Sequence, residues 1–559
     1  MSLTKVSYSM VAGAPLNILD FGAVPGADNT AAIIAAIAAT TDGVGTKIIL
    51  CNSFISSTIT VNKSNIIFDS NLQDISYTAD FTGGGGLPTY VNMFYVTADN
   101  VNFQNMTINQ GDFVPDLLLQ RTIWFNSGST DGAVLNCKFN NNLYIAIMAT
   151  VGSSRVQIKG NTFINCRASS VTSGDYCITE SNIVYNDTVP GGQDSVFSIN
   201  SGDGSGIINN IIYNGPDCNA GGDVIDVVES TNVSITGNRI YGFKGGNGIN
   251  LWNVGTGDVV GAIVADNIID GGGYTATDPW VFIAGTGATY TIIKNNILKN
   301  PPTNIVGSCG GIIIQGGYNV VDGNGIYLGN VGVNYGIGVI NDTGPLDITN
   351  NKIYCNNFGV HFISTTNNSM TPIILTNNEY GGQMVFAYQS SSLIQNAPIW
   401  LENEKYLSTS IIYWNIAKYN TLLSYFSSAQ LPFSLKNNCV LYSAATPVTG
   451  TWQVGDNISQ AVPTVGQPKG WMCTVAGTYS AATEAGTATN GSPTITAMAD
   501  TSDFFVGDYV DSTAQFAVLT RLTILSKTAS SITVNRNANG NGACTLSTTD
   551  PTWVSTGNL

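Results

Sequence analysis

Acidic side chains are concentrated in one stretch of this 559-residue sequence. Between Ala168 and Asn238 there is no lysine or arginine, while nine aspartates and glutamates occur. Like charges held close together on a rigid support raise one another's pKa, so that one carboxyl keeps its proton while a neighbour is ionised. A pair of this kind can supply the acid and the base that cleavage of a glycosidic bond requires. A solvated acidic face and a calcium site are the alternatives that the same composition allows.

Three of these acids are the first candidates for catalysis. Apolar and polar residues alternate around Asp226, which predicts a strand with this side chain pointing outward. Asp223 and Glu229 lie at the two ends of that strand. Asp194 and Asp203, about one repeat earlier in the sequence, are the next pair. We therefore expect the acid and the base among these five residues.

A further set of residues is predicted to bind the substrate. It comprises Trp252, Trp280, Asn250, His361, Lys244 and Arg239. The two tryptophans can stack on sugar rings, the two cations can hold a substrate carboxylate, and the asparagine and the histidine share the outward row predicted for Asp226. Packed aromatic rings, a structural histidine and simple charge balance are the alternatives.

The composition excludes several classes of site and partner. A single histidine, His361, leaves no material for a histidine metal site or a Ser-His-Asp triad, so we expect no metal and no cofactor. The ten cysteines are scattered, which favours free buried thiols over disulfides or zinc. A formal charge of −16 argues against nucleic acid and anionic membranes as partners. No apolar run approaches the roughly 18 residues of a membrane span, and the first residues lack a signal segment, so synthesis in the cytoplasm is expected.

A repeat of the form Asn-x-apolar organises the middle of the chain. Its copies begin at Asn161, Asn182, Asn210, Asn238, Asn267, Asn296, Asn324, Asn351 and Asn378. The spacings are 21, 28, 28, 29, 29, 28, 27 and 27 residues, and a fixed period of this size is the signature of a solenoid. The recurring asparagine is expected to stack into an internal ladder along the axis. Surface turns are the alternative position for it.

Short stretches of alternating apolar and polar residues lie within each period, interrupted by Gly and Asn. A strand cannot bury its inward face alone, so each coil must stack on the next. Two or three strands in fewer than 30 residues predict a parallel β-helix. Aligning the coils places Ile225, Ile249 and Val281 in one inward row, and it places Asp226, Asn250, Phe282, Ile313 and His361 in the neighbouring outward row.

Changes in pattern along the chain suggest four segments. Residues 1–60 contain one convincing helix, Ala31–Ala39, which we expect to cap the open end of the coils. Residues 61–390 form the β-helix with the site. Residues 391–470 lose the period and gain aromatics, as a closing segment that contacts another chain would. Residues 471–559 alternate like a β-sandwich, with 480–549 as a possible insertion.

Motifs at both ends of the chain resemble those of one family. Asn17-Ile-Leu-Asp-Phe-Gly-Ala23, followed by Gly26-Ala-Asp-Asn-Thr30 and an Ala/Ile helix, is similar to the opening of pectate-lyase-like β-helix proteins, in particular bacteriophage tailspikes. Gly470-Trp-Met-Cys-Thr-Val-Ala-Gly-Thr478 resembles a closing motif of such spikes, which continues after the insertion as Pro551-Thr-Trp-Val-Ser555. The resemblance implies an all-β, right-handed parallel β-helix. It also implies a homotrimer on the phage tail, attached through a missing N-terminal region, that depolymerises capsule or O-antigen at the bacterial surface.

A second resemblance concerns the acids. Gly222-Asp-Val-Ile-Asp226 resembles the Asn-Thr-Asp-Gly-Ile-Asp coil of polygalacturonases, with matches at Asp223 and Asp226. The Gly-Asp-Asp of the next coil in that family is here Gly245-Gly-Asn247, so its third acid is missing.

Three functions are therefore considered. The first is hydrolysis of a polysaccharide by paired carboxylates. A polysaccharide lyase would need a base such as Lys or His and an acidic sugar. A non-enzymatic receptor-binding fibre would bind the polymer without cutting it.

Overall fold

The computed structural model of the protein describes residues 14–82, 90–109, 119–141, 145–187, 195–215, 222–243, 246–253, 257–272, 280–302, 310–315, 317–329, 335–340, 344–355, 358–364, 373–381, 384–388, 399–402, 405–406, 441–443, 446, 450–452, 457–460, 468–475, 477–479, 483–504, 506, 508–516, 522–548 and 550–555. The chain divides into two compact units, Met1–Gly338 and Val339–Leu559. Most of the predicted closing segment, 391–470, lies outside the described residues.

The first unit opens with a short 3-10 helix, Ile18–Phe21, and the α-helix Thr30–Ala39. The Asp28 carboxylate caps this α-helix by accepting hydrogen bonds from the Thr30 amide at 3.0 Å and the Thr30 hydroxyl at 2.6 Å. Ile33 and Ile37 are buried on its inner face, which packs against the strands Ser53–Ser57 and Ile59–Val61. The helix predicted from the sequence is therefore confirmed.

Three sheets of parallel strands form the body of this unit, and each coil after the first contributes one strand to each sheet. The first sheet contains Leu16–Asn17, Thr46–Ile49, Ile66–Asp69, Asn102–Gln104, Ala133–Leu135, Gln157–Lys159, Ile178–Glu180, Gly206–Ile208, Ser234–Thr236, Ile263–Ala265, Ile292–Lys294 and Asn319–Asp322. The second contains Ala27–Asp28, Ser53–Ser57, Asp74–Thr82, Thr107–Asn109, Lys138–Asn140, Thr162–Ile164, Ile183–Asn186, Ile211–Asn214, Arg239–Tyr241, Ile268–Asp270, Ile297–Lys299 and Gly325–Gly329. The third contains Ile59–Val61, Tyr90–Val96, Leu119–Phe125, Ile145–Ala149, Ala168–Thr172, Phe197–Asn200, Ile225–Val228, Ile249–Trp252, Val281–Thr286, Gly310–Gln315 and Tyr335–Ile340. A two-stranded pair, Val259–Val260 with Ala288–Thr289, lies beside them.

The asparagine ladder is present inside the coils. From Asn182 to Asn324, the side-chain oxygen of each ladder asparagine accepts hydrogen bonds from the backbone and side-chain N–H groups of the ladder asparagine before it. These side chains are fully buried. The residue before each of them has a left-handed backbone, which turns the chain from the first sheet into the second, as at Asn209 (φ 54°) and Gly237 (φ 69°). The predicted ladder is confirmed. The turn is formed by the residue before each ladder asparagine and not by the asparagine itself.

The second unit contains further coil strands and a separate barrel. The coil strands are Leu346–Thr349, Lys352–Cys355, Phe358–Ser364, Ile373–Thr376, Glu379–Gly381, Met384–Tyr388, Ile399–Glu402 and Lys405–Tyr406, all paired in parallel. A mixed sheet contains Leu441–Ser443, Asn457–Gln460, Gly470–Val475 and Thr552–Ser555, and Gly450–Trp452 pairs with Gly477–Tyr479.

The barrel has six antiparallel strands around its own apolar core. Its strands are Thr483–Ala488, Thr494–Thr496, Tyr509–Ser512, Leu522–Lys527, Ile532–Val534 and Gly542–Thr548. A closed barrel replaces the sandwich-like arrangement expected from the sequence, because alternation gives each strand an inner face but does not say whether the sheet closes on itself. The all-β, right-handed parallel β-helix with a capping helix and a C-terminal β domain is confirmed.

Candidate active site

The strand Ile225–Val228 places Asp226 on the outer face of the third sheet. Ile225 and Val227 point into the core and are fully buried, whereas Asp226 is half-buried. The neighbouring coils put Ser198 on one side of Asp226 and Asn250 on the other. Asp226 therefore lies on the outward row, as predicted.

The predicted row is wrong one coil further on. Ile249 pairs with Ile283 rather than Val281, and Asn250 pairs with Ala284 rather than Phe282. A shift of two residues keeps every side chain on the same face, so alternation alone cannot detect it.

Asp223 and Asp226 are joined by one amide group. The Asn250 side-chain nitrogen donates to Asp223 Oδ2 at 2.7 Å and to Asp226 Oδ1 at 3.3 Å. The two oxygens are therefore separated by no more than these two distances together, about 6 Å. Asn250 is itself only 7% exposed, so it links the two acids more than it faces solvent.

The surroundings of Asp223 favour its protonated form. Burial raises the pKa of this carboxyl, although hydrogen bonds from Asn247 and Asn250 act in the opposite direction. The backbone N–H of Asn247 donates to Asp223 Oδ1 at 2.6 Å. The chain packs closely at this turn, since a Cβ on Gly246 (φ 72°) would lie 2.7 Å from the Gly222 carbonyl oxygen. The site thus holds a carboxyl with a raised pKa beside a second carboxyl on the same outer face, and both residues are half-buried.

The other candidate acids occupy different positions. Glu229 follows the strand in a left-handed turn (φ 46°), beyond the outward row. Asp203 lies in the turn between the third and first sheets, where it accepts hydrogen bonds from the Thr231 hydroxyl at 2.6 Å and the Asn232 amide at 3.0 Å. These bonds hold the pKa of Asp203 below its usual value, as expected for a structural carboxylate. Asp194 lies outside the described residues.

The predicted substrate-binding residues are only partly brought together. Trp252 ends its strand with 38% of its surface exposed, two residues beyond Asn250. Trp280 is 1% exposed and packs edge-on against Phe243 and Phe282, so the structure favours the packed-aromatic alternative for it and contradicts a stacking role.

The basic candidates and the histidine do not add to the described site. Arg239 is exposed on the second sheet, not on the third sheet with Asp226, because the chain turns a corner between the two. Lys244 lies outside the described residues. His361 belongs to the strand Phe358–Ser364 of the second unit, and its side chain also lies outside the described part.

No group of three or more histidine, cysteine or acidic side chains is placed to hold a metal ion among the described residues. Within the same part of the chain, no helix has the length and hydropathy of a membrane span. The described cysteines are free thiols, as predicted.

Sequence reasoning missed the linking role of Asn250 and the part played by the Asn247 amide. Both follow from the parallel register, which stacks Asn250 directly on Asp226. It also missed the outward residues of the earlier coils, from Tyr95 to Ser198. The alternation that selected Asp226 could have located them if it had been followed toward the N-terminus.

No protein-family model and no curated protein sequence matches the chain. Among solved structures, a mutant tailspike of Escherichia coli bacteriophage HK620 is similar over 96% of this chain and 93% of its own, with 12% identity and a TM-score of 0.46. Tailspike protein 3 of bacteriophage CBA120 is similar over 80% and 65% of the two chains, with 13% identity and a TM-score of 0.37. A periplasmic alginate epimerase mutant covers 65% and 77%, with 13% identity and a TM-score of 0.38.

In fold, the chain is a right-handed parallel β-helix followed by a β-barrel. At these identities and TM-scores the similarities carry no argument about activity, which must be argued from the site.

Proposed function

We propose that the protein depolymerises a bacterial surface polysaccharide by hydrolysing glycosidic bonds in the interior of the polymer. One observation carries the proposal: Asp223, with its raised pKa, lies beside the half-buried Asp226, and both are held by the Asn250 amide. Glycosidic hydrolysis requires two carboxyls, one of which keeps its proton.

Asp223 is assigned as the general acid. Its raised pKa keeps it protonated to higher pH than an ordinary aspartate, so it can give a proton to the oxygen of the leaving sugar. Asp226 is assigned as the partner carboxyl. Asp226 then acts either as the nucleophile of a retaining reaction or as the base that activates water in an inverting one, and the anomeric configuration of the first product distinguishes the two.

The biological setting is proposed from the motifs at the two ends of the chain. Their resemblance to tailspikes supports a homotrimer on a phage tail that acts on capsule or O-antigen. The alternative is a polysaccharide lyase, which would need a base such as Lys or His and an acidic sugar.

The test is digestion of a panel of purified capsular polysaccharides and O-antigens. The proposal predicts shortened chains and new reducing ends without a rise in ultraviolet absorbance. A rise in absorbance from unsaturated products would instead indicate a lyase. Binding to a member of the panel without any cleavage would indicate a receptor-binding fibre.

A further inference from the structure

The outward row that contains Asp226 continues toward the N-terminus as an apolar strip. Strand register stacks Tyr95, Trp124, Met148 and Val171 in that order, followed by Ser198 and then Asp226. All four side chains of the strip are half-buried, so part of each is accessible. The preceding outward residues of the same strands, such as Met93 and Thr122, are fully buried. The accessible apolar surface is therefore one side chain wide, runs along the axis to Val171, and is separated from Asp226 by the buried Ser198.

The aromatic end of the strip is held in a fixed geometry. The Trp124 and Tyr95 rings are 5.0 Å apart between centroids and tilted by 58°. The Arg121 guanidinium carbon lies 4.3 Å from the centroid of the Trp124 ring, and Arg121 is only 7% exposed. A buried cation against the ring restrains the indole, which reduces the entropy lost when a ligand stacks on it.

Polar residues accompany the strip. Two positions after each outward residue the side chain is polar: Asn126 follows Trp124, Thr150 follows Met148, Ser173 follows Val171, and Asn200 follows Ser198. The side-chain oxygen of Asn200 is buried and accepts no hydrogen bond from the described residues. An apolar row beside hydrogen-bonding groups matches the chemistry of a sugar, which has an apolar ring face and a rim of hydroxyls.

We infer that Tyr95, Trp124, Met148 and Val171 form a second binding surface for the same polysaccharide, remote from the bond that is cleaved. The inference rests on the proposed function, because it takes the polymer bound at Asp226 as the occupant. Coils are about 4.8 Å apart, so Trp124 lies four coils, about 19 Å, from Asp226. A linear polymer bound at the acids in the direction of the axis passes over the strip. A strip one side chain wide suits such a polymer better than the broad patch of a protein interface.

The test uses the cleavage-deficient variant Asp226→Asn and the polysaccharide that the wild-type protein shortens or, if none is shortened, the one that it binds. Adding Trp124→Ala is expected to weaken binding of long polymer on the order of tenfold. Binding of an oligosaccharide too short to span four coils should not change. Trp124→Phe should restore most of the affinity, which separates a stacking role from loss of folding.

Tyr213→Ala is the matched control. Tyr213 is 40% exposed in a stacked tyrosine row on the second sheet, away from the strip, and its loss should leave polymer binding unchanged. If Trp124→Ala and Tyr213→Ala bind long polymer equally well, or if no polysaccharide of the panel is bound, the inference is wrong. If the wild-type protein cleaves the polymer but Trp124→Ala does not weaken binding, the second binding surface is wrong and the proposed hydrolase stands. If Trp124→Ala weakens binding but the wild-type protein does not cleave the polymer, the proposed hydrolase is wrong and the binding surface stands.

Discussion

Asn238→Ala is predicted to destabilise the β-helix strongly. The Asn238 side chain is fully buried, accepts from the Asn210 backbone and side-chain amides, both at 3.0 Å, and donates to Ile207 and Asn267. The variant leaves the buried Asn210 backbone N–H unpaired, which costs about 1–3 kcal/mol. The other three hydrogen bonds contribute about 0.5–1.5 kcal/mol each. We therefore expect the free energy of unfolding to fall by at least about 2.5 kcal/mol.

The assay is urea denaturation followed by tryptophan fluorescence, with comparison of midpoints at equal m-values. Thr236→Ala, two residues earlier in the same coil, is the control because Thr236 is half-buried on an outward position of its strand. Its effect should stay within about 0.5 kcal/mol. If Asn238→Ala costs no more than Thr236→Ala, the ladder does not stabilise the coils in the way argued.

The remaining predictions concern the acids, the barrel and assembly. The fall of kcat/KM at high pH is expected to follow the loss of the proton from Asp223. Asn250→Ala should move this fall to higher pH, because the hydrogen bond that it removes favours the ionised carboxyl. A fall at the same pH in the variant would count against the acid pair. Burial raises the pKa of Asp223 above 3.8 in the folded protein, so this carboxyl contributes to stability below pH 3.8, and the contribution is lost as the pH rises through the folded pKa. In a curve of urea midpoint against pH, Asp223→Asn should remove this pH-dependent decrease. Replacing residues 480–549 by a short Gly linker should leave the far-ultraviolet β signal of the coils intact, because the barrel has its own core and its flanking strands Gly470–Val475 and Thr552–Ser555 pair directly. Sedimentation should give a trimer, and a stable monomer at micromolar concentration would contradict this.

The periodic parts of the fold were accessible from the sequence. The ladder asparagines recur because every coil repeats the same left-handed turn followed by the same buried amide, as at Gly237 and Asn238. Alternation likewise placed Asp226 outward, since a strand with a buried Ile225 and Val227 leaves no other face for it.

Features that depend on the relation between coils were less accessible. The register of Val281–Thr286 shifts by two residues without changing any face, so Phe282 was placed beside Asn250 when Ala284 is its partner. Trp280 is adjacent in sequence to the third sheet, yet it is covered by Phe243 and Phe282, and only packing reveals this. Arg239 is close to the acids in sequence, but a corner of the coil separates it from them.

The role of Asp226 is tested most directly by single-residue variants on a polysaccharide that the wild-type protein cleaves. Turnover should fall by about 10² to 10⁴ in Asp226→Asn and in Asp223→Asn, with polymer binding nearly intact. Asp203→Asn is the control, because this carboxylate is bonded within a turn, and its turnover should remain near the wild-type value. Wild-type turnover in both Asp226→Asn and Asp223→Asn would contradict the proposed site and move attention to Glu229 and Asp194.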